Sequence, residues 1–509
     1  MIEVFDRENR CVYRGTEPSF VLEHIRLWWC NGQGEPYLYH YRVTASGQEV
    51  TGTIGFRTAE LVMNQGSWEE PSRFPKSRSV PPATICLNGR RIFAKGSNWV
   101  RPELFPGRAS GQIYEPLLQL AVDAHMNLLR CWGGAEIYKD EFYDLCDRLG
   151  IMVWQEFPLA CNAYPDDDHY LKILEQEAEA IIERLKRHPC LVLWCGGNEL
   201  FNRWSGMTDQ SLPLRLLNSL CYWLDRSTPF IMTSPLMGMG HGGYLFKDPD
   251  TGEDVFGTFL NSSHTACTEF GVPGAASPEY LKTIIPQEEL FPPERGGAWE
   301  KHHAFGAWLP ESWLHLDILK EYFGEAQSLE KLCDQSQWLQ CTGYQAIFEE
   351  CRRQWPSCSM AVNWCFNEPW KTAVNNSIIS YPTKPKPSYQ AVADALRPVM
   401  PSARIPKFDW TEGEVFRAEL WLLNDSPEPA SAQIRAALLV DGKQAAAMVW
   451  ETGVCGPNEN KQGHCLQRRL PKAQTDYIIL RLESEYGESV YRLCYHSKKT
   501  DSKGGSLNL

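Results

Sequence analysis

The stretch that decides the fold is Leu191-Val-Leu-Trp-Cys-Gly-Gly-Asn-Glu-Leu200. Its four apolar residues predict a buried parallel strand, and the glycines and Asn-Glu pair that follow are typical of a barrel strand that ends in a site. Apolar walls around Glu199 are expected to raise its pKa, which suits a general acid. The local alternative is a strand end at which Asn198 and Glu199 only cap the next helix.

Apolar runs alternate with helix-period segments from residue 83 to residue 400, which predicts an α/β fold with a (β/α)8 TIM barrel. The predicted strands are residues 92–95, 126–131, 151–154, 191–194, 230–233, 257–260, 266–268 and 360–364. The predicted helices are residues 113–125, 138–149, 170–187, 209–224, 329–354 and 388–396. A doubly wound sheet, the alternative, would need a glycine-rich phosphate loop after its first strand, and no G-x-G-x-x-G occurs there.

Short alternating runs flank the barrel on both sides, as is typical of antiparallel β-structure. We therefore expect a domain order in which a partial N-terminal immunoglobulin-like β domain and a C-terminal β-sandwich enclose the barrel. The predicted units are a β domain at 1–66, a proline-rich linker at 67–82, the barrel at 83–400, the sandwich at 401–496 and a disordered tail at 497–509.

Composition excludes several classes of function. The net charge of −13, with no basic run longer than a pair, argues against a nucleic-acid partner. No apolar run approaches the roughly 20 residues of a membrane span, and the first residues lack a signal-peptide pattern, so a cytoplasmic protein is predicted. The 18 cysteines include no Cys-x-x-Cys pair; they are predicted to be reduced core residues and lack the spacing of a structural zinc site.

A second carboxylate follows the predicted seventh strand, in Thr268-Glu-Phe-Gly271. The fourth and seventh strands face one another across a barrel mouth, so Glu199 and Glu269 can point into one cavity. A carboxyl pair in one cavity performs glycosidic hydrolysis, with one acid that protonates the leaving oxygen and one carboxylate that attacks the sugar or activates water. The sequence leaves retention and inversion open, because it does not give the separation of the pair.

Six strings together resemble glycoside hydrolase family 2, nearest to its β-mannosidase branch, over about residues 20–400. They occur in the family's order and are AKGSNWVRP at 94–102, NLLRCWGG at 127–134, EFYDLCD at 141–147, GIMVWQEF at 150–157, WCGGNE at 194–199 and TEFG at 268–271. The resemblance implies a retaining exo-β-glycosidase that acts on a terminal β-linked sugar without a metal or cofactor.

The resemblance also implies roles for particular residues. Glu199 matches the family's acid/base and Glu269 its nucleophile. Asn198 matches the partner that hydrogen-bonds the sugar 2-hydroxyl. Arg130, at the end of the second strand, matches the arginine that keeps the nucleophile ionised, although an ordinary structural salt bridge is the alternative.

Further residues are candidates for the sugar subsite. Trp132 and Trp370 match aromatic walls, with core packing as the alternative for Trp370, and Asn367 lies in the same Asn-Glu-Pro-Trp string. His241 is predicted to be a satisfied or substrate-facing histidine and not a metal ligand, as are residues 302–303, because neither spacing is H-E-x-x-H. Residues 375–376 contact sugar or cap a loop.

Members of this family open with a jelly-roll domain, whereas this sequence starts inside the second domain of the family's order. A natural short form, half of a split enzyme and a truncated product are therefore all open, and the expected protein partner is a jelly-roll chain or a second copy in a homo-oligomer. Preference for mannose over glucosamine, galactose or glucuronic acid is open too. A sugar-binding chain without turnover is the non-enzymatic alternative.

Overall fold

The computed structural model describes residues 1–64, 80–308 and 311–498. Its centre is a parallel sheet of eight strands in the spatial order fifth, fourth, third, second, first, eighth, seventh, sixth. We call these the barrel strands; in chain order they are Ala94–Trp99, Leu128–Cys131, Met152–Glu156, Leu191–Cys195, Phe230–Ile231, Met239–His241, Ala266–Glu269 and Met360–Asn363. The predicted α/β fold built around a TIM barrel is confirmed.

Helices follow most of the barrel strands and cover their outer faces, because the strands are apolar on both sides. The main helices are Gly111–Asp123, Asp140–Leu149, Asp168–Leu185, Leu212–Leu224, Val255–Leu260, Leu316–Phe323, Leu329–Arg353 and Pro387–Ala395. Single-turn helices are Pro278–Leu281 and Ala298–Lys301, and 3₁₀ turns are Pro106–Arg108 and Gln287–Glu289. Three short antiparallel pairs join Gly274–Ala275 to Val374–Asn375, Phe305–Trp308 to Glu311–Ser312, and Ile379–Ser380 to Lys384–Pro385.

The prediction of the sixth strand at 257–260 is wrong. These residues belong to the helix Val255–Leu260, whose N-cap Asp254 accepts hydrogen bonds from the amides of Phe256 and Gly257. The apolar run fits a strand or a helix, and the capping aspartate decides for the helix. The actual sixth strand, Met239–His241, has only three residues and a central glycine, so it gives almost no apolar signal.

The fifth and sixth barrel strands are not paired with each other. Residues 232–238, all of them described, connect the two strands without a helix. We call this opening in the sheet the seam.

Residues before the barrel form two small antiparallel sheets. Ile2–Phe5, Cys11–Gly15, Tyr39–Ala45 and Gln48–Ile54 make a four-stranded sheet, and Ala59–Val62, Thr84–Leu87 and Arg90–Ile92 make a three-stranded one. The first sheet has a small apolar cluster of its own around Val4, Tyr37 and Tyr39. Most of the predicted linker at 67–82 lies outside the described residues, and the domain boundaries stay predictions.

Two further sheets follow the barrel, and their strands pair antiparallel except for Asp409–Thr411, which pairs in parallel with Gly487–His496. The smaller consists of Val399–Arg404, Val415–Asn424 and Glu459–Arg469; the larger consists of Asp409–Thr411, Gln433–Val440, Lys443–Glu451, Tyr477–Ser484 and Gly487–His496. A buried ion pair joins them to the barrel, because Nζ of Lys95 lies 3.0 Å from a carboxylate oxygen of Asp425. Of the predicted tail, residues 499–509 lie outside the described residues. Among the described helices none is both long enough and apolar enough to cross a bilayer.

The first and second barrel strands approach most closely at Gly96. A Cβ on Gly96 would lie 1.7 Å from the backbone oxygen of Leu128, its partner in the parallel register. Gly96→Ala is therefore expected to lower the free energy of unfolding by about 3 kcal/mol, because a backbone oxygen cannot move aside as a flexible side chain can. Urea denaturation of the two proteins measures the difference.

The matched control for this substitution is Gly107→Ala. A Cβ on Gly107 meets nothing within 4 Å, so its unfolding free energy should stay within about 0.5 kcal/mol of the wild type. Equal stability of the two alanine variants would show that the first two strands do not pair in this register.

Candidate active site

Glu199 and Glu269 lie beside each other at the carboxyl end of the barrel. Nε2 of His241, on the sixth barrel strand, is 3.3 Å from Oε1 of Glu199 and 3.1 Å from Oε2 of Glu269. Because both distances start from one nitrogen, these two oxygens are at most 6.4 Å apart. The two side chains are 14% and 6% exposed, so water has little access to either carboxylate.

The backbone of Glu199 is held in an unusual conformation. Its φ of 54° lies in the left-handed region, which costs a non-glycine residue about 1 kcal/mol or more. Three hydrogen bonds fix it there: its amide donates to the oxygen of Ser234 at 2.7 Å, its carbonyl accepts from Ser205 at 2.8 Å, and the amide of Leu200 donates to Thr233 at 3.0 Å. The strained turn aims the carboxylate into the barrel mouth.

Glu269 receives hydrogen bonds on both oxygens. Nη1 of Arg130 donates to Oε2 at 2.8 Å, and the hydroxyl of Tyr244 donates to Oε1. Two donors around one carboxylate stabilise its negative charge and fix its orientation. Tyr244 follows the sixth barrel strand, and burial raises its pKa well above the usual value, so it remains a hydroxyl donor.

Arg130 is the centre of a buried network at the second strand end. Its side chain is fully buried and binds Glu156 through Nε at 2.9 Å and Nη2 at 2.7 Å. It also donates to the side-chain oxygens of Asn98 and Asn198. Burial lowers the pKa of Arg130, but Glu156 and Glu269 more than compensate and the net pKa is raised. The guanidinium thus connects Asn198 with Glu269.

Burial is the dominant influence on the pKa of Glu156, the other carboxylate that Arg130 contacts. It raises the pKa of Glu156 above the usual value, although the guanidinium and the amide of Gly133 both stabilise the charged form. That amide donates to Oε2 of Glu156 at 2.7 Å, so both carboxylate oxygens are occupied inside the protein. Glu156 therefore positions Arg130 and does not reach the mouth of the barrel.

The pKa of Glu199 is lower than its usual value, contrary to the prediction. Burial does raise it, but the imidazole of His241 and the thiol of Cys161 stabilise the carboxylate and outweigh burial. Sγ of Cys161 donates to Oε2 of Glu199 at 3.3 Å. Burial and the nearby Glu199 raise the pKa of Cys161 to about 12, so it stays a thiol donor. The prediction was wrong because it considered only the apolar walls.

His241 bridges the two carboxylates. Its side chain is 1% exposed, its Nδ1 lies 3.1 Å from Oγ1 of Thr268, and its Nε2 faces both carboxylates. The histidine pair at 302–303 was also predicted to be satisfied or substrate-facing. Nδ1 of His302 lies 2.8 Å from the backbone oxygen of Lys371.

The remaining predicted sugar-subsite residues divide into two groups. Trp132 is half-buried and packs edge-to-face against Trp364 at 5.0 Å, while Trp370 is 36% exposed and stacks on His302, which argues against core packing. Asn367 is buried, and its amide donates to the oxygen of Val100 at 3.0 Å, so it supports a loop and does not join the carboxylates.

The asparagines predicted as sugar contacts or loop caps at 375–376 lie at the end of the short strand Val374–Asn375 and directly after it. Oδ1 of Asn375 accepts from the amide of Ser377, as a loop cap does. The side chain of Asn376 is fully buried next to Gly271. Of the two uses predicted for this pair, capping is the one for which there is a contact.

Both carboxylates open onto one cavity of about 760 Å³ that also borders Trp204, His241 and Tyr244. Sequence reasoning missed Asn98, Glu156 and Tyr244. The first two end the first and third barrel strands, so the rule that found Glu199 could have found them. Tyr244 was missed because the sixth strand was assigned to the wrong residues.

Comparisons with known proteins identify a matching family and similar sequences. The family described as "Glycosyl hydrolases family 2, TIM barrel domain" matches residues 80–212. Beta-mannosidase B of Aspergillus niger is 28% identical over 475 residues, which are 83% of this chain and 53% of the relative. Beta-mannosidase of Capra hircus is 35% identical over 235 residues, 42% of this chain and 26% of the relative. The chain thus spans about half the length, or less, of these curated relatives.

Solved structures share the fold. The crystal structure of Beta-D-Mannosidase from Dictyoglomus thermophilum superposes with a TM-score of 0.79 at 24% identity, covering 97% of this chain and 62% of that one. The exo-chitosanase CsxA of Amycolatopsis orientalis superposes with a TM-score of 0.72 at 16% identity, covering 92% and 55%.

Proposed function

We propose that this chain, which is similar to β-mannosidases and matches the TIM barrel domain of glycoside hydrolase family 2, is a retaining exo-β-glycosidase that acts on terminal β-mannosides or closely related sugars. The observation that carries the proposal is the pairing of Glu199 and Glu269 at the barrel mouth. Their nearest measured oxygens are at most 6.4 Å apart. Retaining enzymes hold the two carboxyls about 5–5.5 Å apart and inverting ones about 6.5–9.5 Å, and the bound on this pair of oxygens is compatible with the shorter separation.

In the first step Glu269 attacks the anomeric carbon and Glu199 protonates the leaving oxygen. The glycosidic C–O bond breaks, and a bond forms between the sugar and a Glu269 oxygen. Arg130 and Tyr244 donate hydrogen bonds to Glu269 and orient its side chain toward the cavity. In the second step Glu199, now ionised, takes a proton from water, which attacks the same carbon and releases Glu269.

Asn198 is the proposed contact for the sugar 2-hydroxyl. Its side-chain oxygen accepts from Arg130 and its Nδ2 donates to Cys161 at 3.2 Å. Arg130 therefore orients the nucleophile and this amide together. A hydrogen bond to the 2-hydroxyl that strengthens in the oxocarbenium-like transition state would contribute several kcal/mol.

The lowered pKa of Glu199 predicts the pH dependence of this reaction. The first step needs protonated Glu199, so kcat/KM should fall as pH rises through a pKa below that of an ordinary glutamic acid. His241→Ala removes the stronger of the two contacts that stabilise the carboxylate. The pKa of Glu199 should then rise, and the basic limb of the kcat/KM profile should move to higher pH.

Cys161→Ala is the matched comparison, because the thiol stabilises the carboxylate less than the imidazole does. It should move the basic limb in the same direction by a smaller amount. A limb that stays in place, or moves to lower pH, in the His241 variant would contradict the assignment of Glu199 as the acid.

The proposal is tested with the purified chain and a panel of aryl β-glycosides with mannose, glucosamine, galactose and glucuronic acid. The panel is run with and without a separately supplied jelly-roll chain. Cleavage of the β-mannoside, followed by trapping with a 2-deoxy-2-fluoromannosyl fluoride on the peptide that contains Glu269, is the expected result. If calorimetry shows sugar binding but no glycoside of the panel is cleaved, the chain is a sugar-binding protein without turnover.

We also propose the cytoplasm as the location. All 18 cysteines of the chain are free thiols and most are buried. Disulfide-free, cysteine-rich chains suit a reducing compartment. Cell fractionation with an epitope-tagged chain tests this location. Recovery in the cytosolic fraction would support it, and recovery from an oxidising compartment would overturn it.

A further inference from the structure

Three buried thiols meet behind the seventh barrel strand. Sγ of Cys267, Cys351 and Cys358 all lie within 4.8 Å of one another. Cys267 is on the seventh barrel strand, Cys351 is near the end of the helix Leu329–Arg353, and Cys358 precedes the eighth barrel strand. Their spacing along the chain matches no metal-binding motif, so only the fold brings them together. We call them the thiol cluster.

We propose that the thiol cluster binds a thiophilic d¹⁰ cation, of which Zn²⁺ and Cu⁺ are the two common examples. Cysteine sulfur is the ligand that these ions prefer over harder cations. Zinc–sulfur bonds of about 2.3 Å in a tetrahedral arrangement place the sulfurs about 3.8 Å apart. Because the three atoms already lie within 4.8 Å of one another, the side chains need only small rotamer adjustments to reach that spacing.

Two other groups of metal-ligating side chains occur among the described residues, but their ligand atoms already have partners within the protein. At Asp147, one carboxylate oxygen lies 2.7 Å from Nδ1 of His188 and the other accepts from the amide of Cys190 at 2.9 Å. The group of Asp409, Cys494 and His496 is partly exposed and already contains an ion pair between Asp409 and His496. The thiol cluster instead consists of three soft donors that face one another.

One cysteine of the thiol cluster borders a cavity that opens to solvent. Cys267 and His264 both border the cavity of about 760 Å³ that opens at Glu199 and Glu269. An ion that enters this cavity therefore comes close to Cys267. His264 is not among the groups within 4.8 Å of all three sulfurs, so a water molecule takes the fourth position of the tetrahedral site. Binding exchanges the thiol protons for the ion and releases those protons to solvent.

The position of the thiol cluster gives the ion a structural consequence. Cys267 is two residues before Glu269 on the same strand, so a metal bridge would tie the strand that carries the nucleophile to the helix Leu329–Arg353 and to the start of the eighth barrel strand. This holds whether or not the chain is a glycosidase, because it depends only on the three sulfurs.

The test is a titration of the reduced full chain with Co²⁺, which reports thiolate ligands by sulfur-to-metal charge-transfer absorption. We expect one equivalent of Co²⁺ to give the charge-transfer band and Zn²⁺ to abolish it by displacement. Titration with Cu⁺ against a coloured chelator then distinguishes the two candidate ions. Cys351→Ser should weaken binding at least tenfold, whereas Cys333→Ser, which removes a buried thiol of the same helix, should leave it unchanged.

A melting-temperature measurement keeps the test valid if Cys351→Ser fails to fold. Zn²⁺ should raise the melting temperature of the wild type and of Cys333→Ser by several degrees, but not that of Cys358→Ser, because an ion that binds only the folded chain stabilises it. The proposal is overturned by the lack of a charge-transfer band or by an equal band in Cys351→Ser.

Discussion

Replacing Glu269 with alanine is expected to lower kcat for an aryl β-mannoside by about 10⁴-fold or more, since the covalent intermediate can no longer form. Glu269 is the carboxylate that Arg130 and Tyr244 hold in place, and no other carboxylate receives this pair of donors among the described residues. The fold should survive, because the substitution removes a side chain that borders an open cavity. Steady-state kinetics and circular dichroism measure the two effects.

Azide provides the positive evidence for this role. It fits the space that the carboxylate leaves and attacks the anomeric carbon from the same face, so it should restore turnover and give an α-glycosyl azide. The matched control is Glu253→Ala, which removes an exposed carboxylate from the border of the same cavity. Glu253→Ala should retain wild-type rates, and unchanged turnover in Glu269→Ala would end the assignment.

Glu199→Ala should show a loss that depends on the leaving group. Substrates with poor leaving groups need protonation, so their kcat/KM should fall by about 10²–10⁴-fold. Activated aryl glycosides should still form the intermediate at a substantial rate, because their leaving groups depart without a proton. The second step then limits turnover, and the sugar accumulates on Glu269, where mass spectrometry can detect it.

Two further observations distinguish an acid/base from a merely structural carboxylate. Azide should rescue the second step in Glu199→Ala and give a β-glycosyl azide, since it needs no general base. Glu199→Gln keeps the size of the side chain and leaves no space for azide, so it should be inactive on poor leaving groups and resist rescue. Equal losses for activated and poor leaving groups would contradict the role.

Sequence patterns predicted the barrel because its strands are continuous apolar runs followed by polar residues. The same rule located Glu199, which follows the fourth barrel strand, and Glu269, which ends the seventh. The rule failed for Met239–His241, where three residues with a central glycine carry too little hydrophobic signal to mark a strand. That one error also concealed the position of His241 relative to the carboxylates.

The pKa of Glu199 could not be predicted from its neighbours in the chain. Burial was correctly inferred from the apolar residues 191–194, and it does raise the pKa. The contacts that reverse the direction come from His241 and Cys161, which are far from Glu199 in sequence and approach it only in the folded barrel. The thiol cluster could not be predicted for the same reason, since its cysteines are brought together by the fold and their spacing in the sequence matches no motif.

The seam gives the distance between the two carboxylates an unusual physical basis. Among the described residues, strand pairing within the sheet connects Glu199 to Glu269 through the third, second, first and eighth barrel strands. Across the seam, side chains make the connection. Ser234 donates a hydrogen bond to Thr268 at 3.0 Å, and His241 contacts both carboxylates. A few hydroxyl and imidazole contacts therefore hold the distance between the two carboxylates. A sugar ring that binds between them can change this distance without breaking a backbone hydrogen bond of the sheet.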